Sequence, residues 1–355
     1  MHKSSEYMHW AKTCQAAECN LATSGVGAFP LRELAFDFSR LEIEGDNKYG
    51  YPALKKAIAA KAGVEAACVV TAAGTSFANH LAMASLLARG DEVLIEHPAY
   101  GLLVDAALYL GAEVKRFPRR EEDGYAIDPA EVRQAMTPRT RLIVVTNLHN
   151  PSSVLTPDAV LRELAGLARE AGARLLVDEV YLDAVYDGAP TTAFRIGPEV
   201  VVTSSLTKIY GLSGLRCGWI LAEPSLAQAM RQLNNLFGSV GVYPGEVLSL
   251  AAFENLDAIR ARARRIVEAD RAALHRFLDA QPGVTAPRTP YGTTAFPRLL
   301  RGEVEPFAAR LRAEYKTSVV PGRFFEMPHH FRLGMGVNSD MFAEGLRRIG
   351  LALAG

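Results

Sequence analysis

The sequence lacks an excess of charge of either sign. Its 355 residues include 39 basic and 39 acidic side chains, which leaves a formal net charge of zero. A protein that binds nucleic acid is expected to carry a basic excess, so this balance disfavours that class and favours chemistry on small molecules. The hydrophobic share of 49% and the charged share of 22% are those of an ordinary globular protein.

Cysteines and long apolar runs are also scarce. The four cysteines, Cys14, Cys19, Cys68 and Cys217, are too scattered for a disulfide framework, and the first two lack the spacing of a zinc pair. The sequence therefore predicts free thiols and no metal site. No apolar run approaches the ~20 residues of a membrane span, and residues 1–20 lack the apolar core of a secretory signal. We expect a cytoplasmic protein without a membrane partner.

The third glycine of a dinucleotide-binding fingerprint is missing as well. Gly25 and Gly27 form a Gly-x-Gly pair in an N-terminal segment that shows no strand pattern before it. The fingerprint requires Gly-x-Gly-x-x-Gly directly after a first strand. A nicotinamide-dependent dehydrogenase is therefore disfavoured.

Apolar, β-branched runs alternate with helical patterns between residues 68 and 221. This alternation predicts an α/β protein with a mostly parallel sheet of about seven strands, sandwiched by helices. Ligands then collect outside the C-terminal ends of the strands. A long helix over 245–278 and a smaller α/β section follow. We therefore predict an arm over 1–40 that packs with the small domain, a large cofactor-binding domain over 41–245, and a small C-terminal domain over 246–355.

Lys208 follows the buried-strand pattern of residues 200–203 and lies among hydroxyls and glycines. A lysine amine whose neutral form is accessible can form a Schiff base with an aldehyde. Ser205 and Thr207 precede this lysine and Arg216 follows it, and such groups hold a phosphate dianion. Together they predict an aldehyde cofactor with a phosphate, which is pyridoxal phosphate. A surface loop with a chance lysine is the alternative.

Two other predicted strand ends carry residues suited to the ring of that cofactor. Asp178 ends an apolar run, where a carboxylate is costly unless a cation such as a pyridinium nitrogen faces it. Tyr181 and Asn150, which precedes a proline, are placed to reach the phenolic oxygen of the ring. A capping carboxylate and a turn asparagine are the ordinary structural alternatives.

Three further features complete the set of candidate residues. Gly74, Thr75 and Ser76 join a strand to a helix, where free amides bind phosphate, although Ser and Thr are also common helix caps. Tyr100 can stack on a planar ring or belong to the core. Arg332, inside an apolar strand, requires an anion, which is either a substrate carboxylate or an internal salt-bridge partner.

In this order the motifs resemble those of the fold type I pyridoxal-phosphate enzymes, in particular the class I/II aminotransferases. The series runs from Tyr49-Gly50 to Arg332 through Gly74-Thr75-Ser76, Asn150-Pro151, Asp178-x-x-Tyr181 and Ser205-x-Thr207-Lys208. The resemblance implies an aspartate-aminotransferase-like fold in which Lys208 forms the Schiff base and carries the proton. It also places Asp178 at the pyridinium nitrogen, and Asn150 and Tyr181 at the ring oxygen.

The resemblance assigns the remaining roles too. The phosphate is held by Ser205, Thr207, Arg216 and residues 74–76, Tyr100 stacks on the ring, and Arg332 binds the substrate α-carboxylate. Tyr49 reaches the phosphate of a neighbouring subunit, which implies a homodimer with shared active sites. Gly27, in the arm that closes over substrate, is a substrate-binding residue. The implied reaction moves an amino group between an α-amino acid and a 2-oxo acid. A β-lyase, decarboxylase or oxidase reaction on the same cofactor is the alternative.

Overall fold

The structure, a computed structural model, describes residues 3–14, 17–188 and 190–354. Its largest feature is a seven-stranded sheet. The strands of this sheet are β2 (Val69–Ala73), β3 (Glu92–His97), β4 (Glu113–Pro118), β5 (Thr140–Thr146), β6 (Arg174–Asp178), β7 (Val200–Ser205) and β8 (Cys217–Leu221). The predicted α/β class with a mostly parallel sheet is confirmed.

The sheet order decides which residues meet. The strands lie in the order β2-β8-β7-β6-β5-β3-β4, and β8 runs antiparallel to both of its neighbours. The parallel strands β5, β6 and β7 end at one edge, where Thr146 lies opposite Asp178, and Asp178 lies opposite Thr203. Polar residues at these strand ends therefore share one site.

Helices cover both faces of the sheet. They are α2 (Pro52–Ala62), α3 (Thr75–Leu86), α4 (Gly101–Tyr109), α5 (Pro129–Ala135), α6 (Asp158–Glu170) and α7 (Pro224–Asn234). Along β6, Leu175 and Val177 belong to one apolar cluster, whereas Leu176 belongs to another. Because side chains of a strand alternate between its faces, both faces of the sheet are buried and form a rigid base for the site.

The C-terminal region contains four helices and several short strands. They are α8 (Tyr243–Glu254), α9 (Leu256–Ala280), α10 (Val304–Tyr315), α11 (Ser339–Ala354), β9 (Val284–Thr285), β10 (Thr294–Ala295), β11 (Arg298–Leu299), β12 (Thr317–Ser318), β13 (Val320–Pro321) and β14 (Phe331–Gly334). The single helix predicted over 245–278 is wrong, since two helices meet at Asn255. The Asn255 side chain donates to the Ala251 carbonyl at 2.7 Å, a local bond that competes with helix continuation.

The N-terminal segment contains α1 (Glu6–Thr13) and β1 (Cys19–Asn20). Residues 1–40 show little regular periodicity, so the sequence predicts an arm here and gives no signal for this helix. The Ser5 hydroxyl caps α1 by accepting from the Met8 N–H at 3.4 Å, and the buried Tyr7 anchors it. β1 pairs in parallel with β12 of the C-terminal region. The domain boundaries at residues 40 and 245 stay predictions. Within the described ranges, no helix combines the length and apolar character needed to cross a bilayer.

Candidate active site

One cavity at this edge of the sheet contains most of the predicted site residues. Its volume is about 490 Å³, which is within the usual range of small-molecule sites. The predicted residues that line it are Thr75, Ser76, Tyr100, Asn150, Asp178, Tyr181, Thr207, Lys208 and Arg216. Residues distant in sequence meet here because the parallel strands end together.

Lys208 lies in the loop after β7 and lines the cavity. Its Nζ donates a hydrogen bond to Ser24 Oγ at 2.8 Å. Burial lowers the pKa of Lys208 below its ordinary value, and the positive charges of Arg332 and Arg216 act in the same direction. A larger share of this amine is therefore neutral and nucleophilic near neutral pH than for an exposed lysine.

Asp178 ends β6 and is 3% exposed. Its Oδ2 accepts from Asn79 Nδ2 at 2.7 Å, and its Oδ1 accepts from the Val180 N–H at 3.0 Å. The Thr203 hydroxyl donates to Asn79 Oδ1 at 2.5 Å, which turns the amide nitrogen of Asn79 toward the carboxylate. Burial raises the pKa of Asp178 from 3.8 to about 6. A cation against this carboxylate opposes that effect.

The N-terminus of α3 lies beside Arg216. Gly74 has a φ of +81°, and a β-carbon there would come 2.4 Å from Arg216 Nη2, so glycine is required for this packing. The guanidinium donates to the carbonyls of Ala73 and Ser213 at 3.0 and 3.1 Å. Free amides at a helix start together with a guanidinium make a binding site for a phosphate group.

Ser205 lies behind the wall of the cavity and is 1% exposed. Its hydroxyl oxygen accepts from Thr75 Oγ1 at 2.7 Å and from the Thr207 N–H at 3.2 Å. Both of those residues line the cavity. Ser205 therefore positions two candidate phosphate ligands from behind the cavity wall.

Tyr181, Asn150 and Tyr100 border the same cavity. The Tyr181 side chain is hydrogen-bonded to Ser24. The Asn150 backbone N–H donates to Thr146 Oγ1 at 3.0 Å, which fixes the start of the loop after β5. The structure thus brings these three predicted ring contacts to one space.

Arg332 in β14 is 1% exposed. Its Nη1 donates to Asn150 Oδ1 at 3.2 Å, and its Nη2 donates to the Tyr7 hydroxyl at 2.9 Å. Among the described residues its Nε has no partner, and the groups that raise its pKa are tyrosines, with no carboxylate among them. The internal salt bridge considered from the sequence is therefore not found among the described residues, which leave this buried cation without a charged partner.

Tyr49 and Gly27, like Gly74, Ser205 and Arg332, do not line this cavity. Tyr49 lines a neighbouring cavity of about 280 Å³, which shares Arg216 with the first. Gly27 donates its N–H to the Gly336 carbonyl at 2.9 Å. A β-carbon on Gly27 would come 2.8 Å from the Val337 carbonyl oxygen. Gly27 therefore packs against the C-terminal region.

Several polar residues of the cavity are not predicted from the sequence, among them Tyr7, Ser24, Asn79 and Ser213. A signal for Ser24 exists in the neighbouring glycine. A β-carbon on Gly25 would come 2.8 Å from the Lys208 carbonyl oxygen, so Gly25 permits the arm to approach the lysine. Tyr7 and Asn79 lie within helices and give no comparable local signal.

Comparison with known proteins identifies relatives over nearly the whole chain. Residues 35–349 match the model of the family described as aminotransferase class I and II. Capreomycidine synthase from Streptomyces vinaceus is 31% identical over 347 residues, which cover 94% of this chain and 89% of that protein. Arginine–pyruvate transaminase AruH from Pseudomonas aeruginosa is 29% identical over 302 residues, covering 82% and 76% of the two chains. A pyridoxal-phosphate-dependent aminotransferase from Streptococcus suis superposes with a TM-score of 0.94 at 26% identity, covering 99% and 98% of the two chains.

Proposed function

The chain belongs to the class I and II aminotransferase family and is a pyridoxal-phosphate-dependent enzyme that transfers amino groups, and from that premise we propose that Lys208 carries the cofactor. When bound, pyridoxal phosphate supplies a protonated ring that takes up the electron pair released at the substrate Cα. The observation that carries the proposal is the meeting of the Lys208 amine, the Asp178 carboxylate and the Arg216 guanidinium in one cavity.

The residues present fit this cofactor at three points. The glycine at position 74 leaves room for the Arg216 guanidinium at the start of α3, where a phosphate group can bind. The buried Asp178 carboxylate, whose pKa burial raises to about 6, is stabilised by a pyridinium cation. The Lys208 amine, with its lowered pKa, is available to the aldehyde carbon.

Lys208 then acts on the substrate proton. With the substrate bound, the neutral Nζ would take the proton from the substrate Cα as general base and then return a proton as general acid. The Ser24 hydroxyl, 2.8 Å from Nζ, orients the amine. Asn79 keeps the Asp178 carboxylate aimed at the cavity through its bond of 2.7 Å.

The substrates are an α-amino acid and a 2-oxo acid, and Arg332 binds the α-carboxylate that both share. The guanidinium is 1% exposed and its Nε is without a partner among the described residues. A carboxylate satisfies such a group better than water can, because two charge-assisted hydrogen bonds form in a site of low polarity.

The test is a screen of amino donors against pyruvate, 2-oxoglutarate and other 2-oxo acids. In the absence of an acceptor, an active donor is expected to convert the absorbance of the bound cofactor to that of its amine form and to release one 2-oxo acid. An enzyme that leaves the absorbance unchanged with every donor contradicts the proposal.

Lys208→Ala is the matching variant. We expect turnover to fall by at least about 1,000-fold, because both the anchoring amine and the general base are lost. Lys56→Ala, which removes an exposed lysine of α2, serves as the control and retains parental activity. Parental activity in Lys208→Ala would contradict the assignment of Lys208.

A second candidate is another reaction at Cα or Cβ on the same cofactor. It is favoured by the relative at 31% identity, which is named a synthase and not a transaminase. Release of ammonia or carbon dioxide, or a rearranged amino acid product formed without consumption of a 2-oxo acid, would identify this reaction in the same screen.

A homodimer with shared active sites is supported by the cavity that contains Tyr49. Tyr49 is 51% exposed, and next to this cavity Leu236 and Val242 are 80% and 74% exposed. A second copy of this chain covers such an apolar surface and brings Tyr49 to the phosphate site of its partner. Mixing Lys208→Ala with Tyr49→Ala tests this, since a mixed dimer regains one intact site. Activity of the mixture no higher than that of the separate variants contradicts sharing.

The cytoplasm is the proposed compartment. All four cysteines, at positions 14, 19, 68 and 217, are free thiols, as suits a reducing environment. Fractionation of the source cells with an antibody to the native protein tests this.

A further inference from the structure

We propose that Tyr7 is a second ligand for the substrate carboxylate. Helix α1 then contributes a residue to the substrate site. This inference rests on the proposed binding of the α-carboxylate by Arg332. Tyr7 lies on α1, far from Arg332 in sequence, and lines the cavity together with Met8 and Ala11 of the same helix.

The hydrogen-bond geometry shows why Tyr7 suits an anion. Arg332 Nη2 donates to the Tyr7 oxygen at 2.9 Å, so the hydroxyl is an acceptor in this bond and its own proton is still available. Among the described residues, the Tyr7 hydroxyl forms no hydrogen bond in which it is the donor. A carboxylate bound at Arg332 supplies an acceptor. The hydroxyl then donates to the same anion that the guanidinium binds.

Packing holds the Tyr7 ring in place for this role. Its centroid lies 5.6 Å from that of Tyr100 and 5.4 Å from that of Phe324, both in edge-on contacts. Tyr100 directly precedes α4 beside the large sheet, whereas Phe324 belongs to the C-terminal region. The ring therefore bridges two parts of the chain and leaves the hydroxyl little freedom to turn away.

Tyr7→Phe tests the hydroxyl because it keeps the ring and its contacts. The probes are 2-methylalanine and isopropylamine, which differ only by a carboxylate. Since 2-methylalanine has no proton on Cα, its binding to the holoenzyme does not require transamination, and a negative donor screen leaves this test intact. Dissociation constants are measured by calorimetry and by the absorbance of the bound cofactor. Tyr109→Phe, which removes the hydroxyl of a tyrosine that is 50% exposed, is the matched control.

We expect Tyr7→Phe to weaken 2-methylalanine binding about tenfold, the usual effect of one hydrogen bond to a charged group. Isopropylamine binding stays at the parental value, and Tyr109→Phe changes neither. Equal weakening of both probes would show that Tyr7 only supports the cavity. Unchanged or tighter binding of 2-methylalanine would show that the tyrosine hydroxyl merely occupies the place of the carboxylate and leaves when substrate binds. Either result overturns the proposal.

Discussion

Two buried arginines of this protein have opposite surroundings. The Arg119 and Glu96 side chains are both 0% exposed and form an ion pair of 2.7 Å. Arg119 also donates to the Tyr125 carbonyl at 2.7 Å, and Glu96 accepts from the backbone and hydroxyl of Thr146 at 2.7 and 2.6 Å. Arg332 is equally buried, yet its Nε has no partner among the described residues and its hydrogen-bond acceptors are neutral: the Asn150 amide, the Tyr7 hydroxyl and the Thr23 carbonyl.

The difference separates a structural network from a binding site. The Glu96–Arg119 network satisfies its own charges, and through Thr146 it holds the backbone of Asn150 at 3.0 Å. Asn150 in turn contacts Arg332. The Glu96–Arg119 network, whose charges are paired, thus positions the Asn150 contact of Arg332, whose charge has no acidic partner among the described residues.

The strongest test of this contrast is removal of the acid from the closed network. Glu96→Ala leaves the Arg119 charge buried without a partner, so we expect the free energy of unfolding to fall by about 3–5 kcal/mol. Urea unfolding measures this loss. The double variant Glu96→Leu/Arg119→Met should recover most of the lost stability, because it leaves neither charge buried. If Glu96→Ala lowers the free energy of unfolding by less than about 1 kcal/mol, the pair does not have this structural role.

Arg332→Leu tests the other member of the comparison. Here we expect binding of amino acids to weaken by about 2–5 kcal/mol, which is thirtyfold or more. The stability of the cofactor-free protein should stay constant or rise, because an unpaired buried cation is removed. Arg133→Leu, which removes an arginine 63% exposed, is the control. A fall in stability as large as that of Glu96→Ala would mean that Arg332 too is structural.

Asp178→Asn extends the comparison to a buried carboxylate that we propose to pair with the pyridinium nitrogen of the cofactor. The pKa of Asp178 in the cofactor-free protein is raised from 3.8 to about 6, so its ionisation opposes folding. This destabilisation is absent below pH 4 and grows as the pH rises from 4 to 6. Above pH 6 it is complete, at about 3 kcal/mol. We therefore expect the variant to be more stable than the parent at pH 8 and equal to it at pH 4. Activity of the holoenzyme should fall. A stability difference independent of pH contradicts this account.

Asn79→Ala should have the smallest effect. It removes one donor to Asp178 and leaves the Thr203 hydroxyl without its acceptor. We expect kcat/KM to fall about tenfold, or 1–2 kcal/mol, with less loss at higher pH because the pKa of Asp178 rises further. Ser85→Ala on the same helix removes a local bond of 3.1 Å and serves as the control. A loss that grows with pH is the opposite of this prediction.

Most of the site could be predicted because its residues end strands. Asp178, Lys208 and the 74–76 turn each follow an apolar run, and parallel strands necessarily gather such positions at one edge. The sheet itself was predictable for a similar reason, since most of its strands contain an apolar run, although β4 does not.

The remainder depends on contacts between segments distant in sequence. Asn79 lies inside α3, and its role exists only because β6 and β7 pass beneath that helix. Tyr7 belongs to an eight-residue helix that is too short to be stable alone, so no local sequence pattern predicts the helix or the position of Tyr7. The break at Asn255 coincides with a side-chain bond to the Ala251 carbonyl, which periodicity does not detect.

The pairing of β1 with β12 has a consequence for biosynthesis. Cys19 leaves the ribosome early, whereas its partner Thr317 is made almost 300 residues later. At roughly 5–20 residues per second the N-terminal strand waits about 15–60 s for that partner. Ser24 lies shortly after β1, so the segment whose hydroxyl contacts Lys208 is anchored to the C-terminal region only near the end of translation. A nascent chain therefore acquires its lysine well before it acquires a finished active site.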